Sequence, residues 1–167
     1  MNQCVGLFGT CGDSKWREDF MRDYDALGIK YFNPQVKDWD PSMAVKEADH
    51  MANDCIVVWP ITSETPGLGS IAETGFSLLQ AIRLESRRDF VILVDQFIDE
   101  SVKESFSPDV IKESLRGRAL ISQHLLKLKL DNVYVVQTLP QMLDVSKGLW
   151  TISVLRQEIK DSLKERA

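Results

Sequence analysis

The chain reads as a three-layer α/β protein built on a doubly wound, five-stranded parallel sheet. Three observations predict it. Apolar, β-branched-rich runs recur at Val5 to Phe8, Lys30 to Asn33, Cys55 to Pro60, Phe90 to Val94 and Val133 to Gln137. A segment with helical spacing separates each run from the next, which supplies the crossovers that parallel pairing needs. The length, 167 residues with 44% hydrophobic content, suits one domain with a sizeable core, spanning 1–167.

The helices follow in order. From Trp16, the apolar residues Phe20, Met21, Tyr24 and Leu27 share one face of a helix that Gly28 stops. Asp40-Pro41-Ser42 opens the second, Asp40 as cap and Pro41 in the first turn, with Val45, Ala48 and Met51 facing inward and an end before Asn53-Asp54. The third is expected from about Ser70 to Glu85, with Phe76, Leu79 and Ile82 toward the core. Ser107-Pro108-Asp109 starts a fourth, whose apolar face from Ile111 to Leu128 serves either core or interface. Leu139-Pro140 leads into a last helix whose charged end, Lys160 to Arg166, is expected to fray.

Composition narrows the function. The net charge is −5, and residues 1–82 hold 12 Asp/Glu against 6 Lys/Arg. No basic stripe offers itself to phosphates, so polymeric nucleic acid is not an expected partner. No apolar stretch approaches the ~18 residues of a membrane span, and Met1 to Val5 lacks a basic segment followed by an apolar one, so a cytoplasmic protein is expected. Cys4, Cys11 and Cys55 are odd in number and lack C-x-x-C spacing, which predicts no disulfide framework and no zinc; no cofactor is expected. With only His50 and His124, a histidine-rich metal site or a Ser-His-Asp triad lacks material.

Ligands of doubly wound sheets bind outside the carboxyl ends of the strands, so the loops there carry the candidates. After the third run comes Gly67-Leu68-Gly69-Ser70-Ile71-Ala72-Glu73-Thr74-Gly75. Gly67 and Gly69 let a ligand approach the backbone, a helix starting at Ser70 offers unpaired N–H groups, and Glu73 meets the ligand as nucleophile. The same residues also read as a capping box, in which Glu73 folds back to the amide of Ser70. Both readings fit the segment.

Gly9-Thr10-Cys11-Gly12-Asp13-Ser14 is either a ligand cradle or a capped turn, and Arg17 either reaches back to an oxyanion or stays solvated. In Asn33-Pro34-Gln35-Val36-Lys37-Asp38-Trp39-Asp40, Trp39 stacks on a planar base or plugs the loop onto the core. Glu47 and Asp49 on the second helix are solvated acids or partners for Glu73. Glycosidic cleavage needs such a partner, because positive charge builds on the sugar and negative charge on the leaving nitrogen.

Leu7-Phe8-Gly9-Thr10-Cys11-Gly12, Trp16-Arg17, Asn33-Pro34, Asp38-Trp39, Asn53 to Val58 and Gly69-Ser70-Ile71-Ala72-Glu73 together resemble the nucleoside 2-deoxyribosyltransferase-like family over about residues 4 to 95. The resemblance implies a flavodoxin-like sheet and an N-glycosidic reaction on a nucleoside or nucleotide, in which Glu73 attacks C1 of the sugar. It implies further that the Gly9 loop and Arg17 hold the sugar or a 5-phosphate, that Phe8 lines the pocket, and that a homo-oligomer completes it. Two positions depart from the pattern. The family's acid on the second helix falls at Lys46, so Glu47 fits with a one-residue shift, and Gly67 stands where transferases often carry an acid. A nucleotide-sensing module without turnover and a phosphoribohydrolase acting on monophosphates are the competing expectations.

Overall fold

The computed structural model describes residues 2–36, 41–79, 82 and 88–164. Five strands, β1 (Asn2–Leu7), β2 (Tyr31–Phe32), β3 (Asp54–Ile61), β4 (Asp89–Val94) and β5 (Val133–Val136), form one parallel sheet in the order β2-β1-β3-β4-β5. This is the expected doubly wound, flavodoxin-like arrangement. All eight residues of β3, the middle strand, are buried, as its unbroken apolar run requires.

Alternation along the strands feeds two cores. Val5, Leu7, Ile56, Val58, Val91 and Leu93 face α1 (Trp16–Leu27) and the last helix, which contribute Trp16, Phe20, Tyr24, Met142 and Leu149. Val57, Trp59, Ile61, Phe90 and Ile92 point the other way, toward Met51 of α2 (Pro41–Asn53), Leu78, and Leu125 of the long helix Pro108–Leu128. The sheet is thus sandwiched between helices on both faces.

Several expectations are corrected. Val45 is 73% exposed and Ala48 is exposed too, so of the predicted inward face of α2 only Met51 packs on the sheet. The helix expected at Ser70 begins earlier, as α3 (Leu68–Glu73), and continues as a π-helical turn, Thr74–Leu78. Its expected continuation to Glu85, and the side chain of Phe76, lie outside the described residues. A short helix α4 (Glu100–Ser105) precedes α5 (Pro108–Leu128), and α6 (Leu139–Lys164) stays helical through most of the charged end expected to fray. Within α5 the apolar face divides: Ile111 and Leu125 are buried, whereas Leu120 and Leu126 are about half exposed. No helix among the described residues is long and apolar enough to cross a membrane.

Candidate active site

At the carboxyl ends of β1, β2 and β3 lies a pocket of about 280 Å³ lined by Phe8, Gly9, Cys11, Pro34, Gln35, Val36, Glu47 and Glu73. Four of these were named from sequence: Phe8, Gly9, Glu47 and Glu73. They come from three separate segments, so only the parallel topology brings them together. Glu47 borders the pocket and its exposed neighbour Lys46 does not.

The Gly9 loop is fixed by β3. The Phe8 amide donates to the Val58 carbonyl (3.0 Å) and the Thr10 amide to the Pro60 carbonyl (2.8 Å). The Thr10 hydroxyl donates to the same Pro60 oxygen (3.1 Å) and accepts from the Thr62 amide (2.9 Å). Gly9 sits between these anchors at φ +89°, where an added Cβ would collide with the Pro60 carbonyl. Gly9→Ala is therefore expected to destabilise the fold by about 2 kcal/mol or more, a drop in denaturation midpoint that equilibrium unfolding will read.

Arg17 lies behind this loop, 2% exposed. Its Nε donates to the Leu7 carbonyl (2.9 Å), Nη1 to that of Thr10 (2.5 Å) and Nη2 to that of Gly9 (3.3 Å). The guanidinium therefore satisfies carbonyls that the end of β1 leaves unpaired, and it is not among the residues lining the pocket. Gln35 continues the network: its side-chain amide donates to the Gly12 carbonyl (2.7 Å) and its amide oxygen faces Arg17 Nη1 at 3.5 Å. Arg17 thus shapes the pocket floor from outside.

The capping-box reading does not survive. Gly67, at φ +65°, is the residue before the helix, which places Ser70 third within α3 instead of at its start, and no side chain caps that end. Ser70 is buried, and its carbonyl accepts from the Thr74 hydroxyl (2.6 Å). Among the described residues no hydrogen bond or ion pair holds the Glu73 carboxylate. Gly67, Gly69 and Ser70 are not among the residues lining the pocket, whereas Glu73, one and a half turns along, is. Asp49 is exposed and accepts from the Asn53 side chain (2.8 Å), away from the pocket border. Trp39 lies outside the described residues.

Cys11, Pro34, Gln35 and Val36 were not singled out from sequence. Their signal was position alone, since all four belong to the two edge loops already recognised. Phe8 brings an aromatic wall: its ring lies 5.9 Å from Phe32 and stacks on Trp59 at 6.2 Å. The Trp59 indole N–H behind it has no acceptor among the described residues.

Burial and a neighbouring charge act on Glu73. Glu73 keeps solvent access, yet partial desolvation and then the charge of Glu47 push its pKa up from the ordinary glutamate value. A carboxyl with a raised folded-state pKa favours folding below its unfolded pKa, and that contribution is lost as pH rises through the folded value. Glu73→Gln, neutral throughout, should accordingly raise Tm near neutral pH and leave it unchanged once the pH is below the ordinary glutamate range. A thermal-melt series against pH reads both limits.

A larger groove of about 590 Å³ lies between α3 and α5, lined chiefly by Ile71, Leu78, Leu79, Leu120 and Ile121. Among the described residues that line it there is no carboxylate. Compared with known proteins, the chain matches no family model, no curated protein and no solved structure.

Proposed function

We propose that this protein cleaves, or transfers across, the N-glycosidic bond of a nucleoside, with Glu73 as nucleophile. The observation that carries the reading is an unrestrained carboxylate sharing a pocket with a second acid, Glu47, under an aromatic wall at the carboxyl edge of a doubly wound sheet. The resemblance to nucleoside 2-deoxyribosyltransferase-like proteins names the same residue from motifs alone.

The chemistry follows from the placement. The ionised Glu73 carboxylate attacks C1 of the sugar and forms a glycosyl ester, while the C1–N bond breaks and its electron pair leaves with the base. Glu47 manages the proton that the departing nitrogen takes up. A water molecule or an acceptor base then attacks C1 and displaces the carboxylate, which returns Glu73 to its starting state. Transfer and hydrolysis differ only in that second nucleophile.

Among the described residues bordering the pocket there are two glutamates and no lysine or arginine. Such a border favours a neutral nucleoside over a monophosphate, whose charge the two carboxylates would oppose. With the donors of Arg17 bonded to loop carbonyls, the phosphoribohydrolase reading loses its cation. The proposal extends to a cytoplasmic enzyme and, on the resemblance alone, to a homo-oligomer.

The test is release of free base from a panel of ribo- and deoxynucleosides, with and without an acceptor base. Release with water alone identifies a hydrolase, and release that needs the acceptor identifies a transferase. Tight nucleoside binding without any base release would instead identify a sensing module.

A further inference from the structure

At the amino-terminal ends of β1 and β3, three side chains with metal-binding atoms converge. Cys4 Sγ, a ring nitrogen of His50 and a carboxylate oxygen of Asp54 all lie within 4.8 Å of one another. His50 closes the last turn of α2, with Nδ1 at 2.9 and 3.0 Å from the two Asp54 oxygens. The parallel pairing of β1 with β3, which sets Asn2 opposite Asp54, brings Cys4 to them.

The surroundings hold these atoms in place. Phe32 stacks on the imidazole at 3.8 Å with only 4° between the planes, which fixes the ring. Gly6 leaves room for the carboxylate: a Cβ there would lie 3.0 Å from Asp54 Oδ2. Asp54 is fully buried and Cys4 9% exposed, whereas the His50 side chain keeps 27% of its surface, so the cluster is reached from the imidazole side. The Asn2 side-chain amide also donates to the Asp54 carboxylate.

We propose that Cys4, His50 and Asp54 form a zinc site that ties β1, α2 and β3 together. A thiolate, an imidazole and a carboxylate are the donor types zinc takes, at roughly 2.0 to 2.3 Å each, and a tetrahedron of that size brings its ligand atoms within about 4 Å of one another. The thiolate sets the site against magnesium and calcium, which take oxygen. A buried carboxylate needs a cation beside it, and zinc supplies one that the half-buried imidazole provides only when protonated. Binding releases the thiol proton to solvent and exchanges the His50–Asp54 contact for two metal bonds. The count of cysteines and histidines predicted no zinc because it sees only spacing along the chain; here the ligands come from a strand, a helix end and a second strand. The site does not depend on the glycosidic proposal, since none of its ligands borders the pocket.

Metal-free, full-length protein titrated with Zn²⁺ against a chromophoric chelator should bind one ion per chain and gain thermal stability as zinc is added. With Co²⁺ in place of zinc, a thiolate-to-metal charge-transfer band and the intense visible bands of a tetrahedral centre should develop together. Cys4→Ser should abolish the charge-transfer band. Both Cys4→Ser and His50→Gln should weaken zinc at least as much as loss of an outer hydrogen-bond partner does, roughly 10- to 100-fold. Cys11→Ser should keep the band and the affinity. Failure of the wild type to bind one zinc, a cobalt spectrum without the thiolate band, or a Cys4→Ser chain that binds as tightly as the wild type overturns the site.

Discussion

Glu73→Ala should remove base release, lowering kcat by about 10⁴-fold or more while nucleoside binding persists, because losing the nucleophile of a covalent enzyme costs at least that much. Retained turnover in this variant would end the mechanism. The wild type carries a second signature: rapid quenching with a slow nucleoside should leave the sugar's mass on the peptide that contains Glu73. The pH profile adds a third. Only the ionised carboxylate attacks, so the rate must fall as pH drops through the raised pKa of Glu73, an acid limb above the ordinary glutamate range. Because part of that rise comes from the charge of Glu47, Glu47→Gln should move the limb to lower pH whatever it does to kcat. A limb unmoved by Glu47→Gln would show that the two acids do not share the pocket.

The strands were legible from their apolar runs, β3 above all, which is buried along its whole length; the two edge strands came out shorter than expected, β5 by one residue and β2 to the paired Tyr31 and Phe32. Helical periodicity found α2 but misjudged its inward face: only its last turns, with Met51 and His50, reach the sheet and Phe32. The π-helical turn after Glu73 left no periodic trace, and α4 is too short to show an apolar stripe. In the site, local spacing could not decide between a capping box and a nucleophile, because Ser70 and Glu73 satisfy both; the start of the helix two residues earlier removes the capping box. Buried arginines escaped the sequence reading for a related reason. Arginine is ordinarily a surface residue, and nothing local reveals that the carbonyls at strand ends will need its donors.

Arg118 is where that lesson has its largest energetic consequence. The residue is fully buried on α5. Its Nη1 donates to the carbonyls of Ile61 (3.2 Å) and Asp95 (3.0 Å), and Nη2 to those of Thr62 (2.9 Å) and Thr65 (2.8 Å). Ser114, one turn earlier, fixes the same segment by donating to the Pro66 carbonyl at 2.5 Å and accepts from Arg118 Nε at 3.3 Å. These bonds hold 61–66, the loop that leaves β3 and delivers Gly67 and α3, hence Glu73. Arg118→Met keeps much of the volume and removes every donor. The Ile61 carbonyl retains the Asp95 amide (2.9 Å), but the others lose the charge-assisted bonds that replaced water. Each orphaned acceptor costs about 1 to 3 kcal/mol, so a total loss of roughly 3 to 5 kcal/mol is expected. In a chain of this length that lowers Tm by roughly 6 to 20 °C. Arg118→Lys should recover little of it, since one ammonium cannot span carbonyls on both sides of the loop. If thermal melts place Arg118→Met within a degree or two of the wild type, the loop is held by something other than this guanidinium. Where the variant still folds at low temperature, turnover should fall more than nucleoside affinity, because Glu73 loses its aim before the pocket loses its aromatic wall.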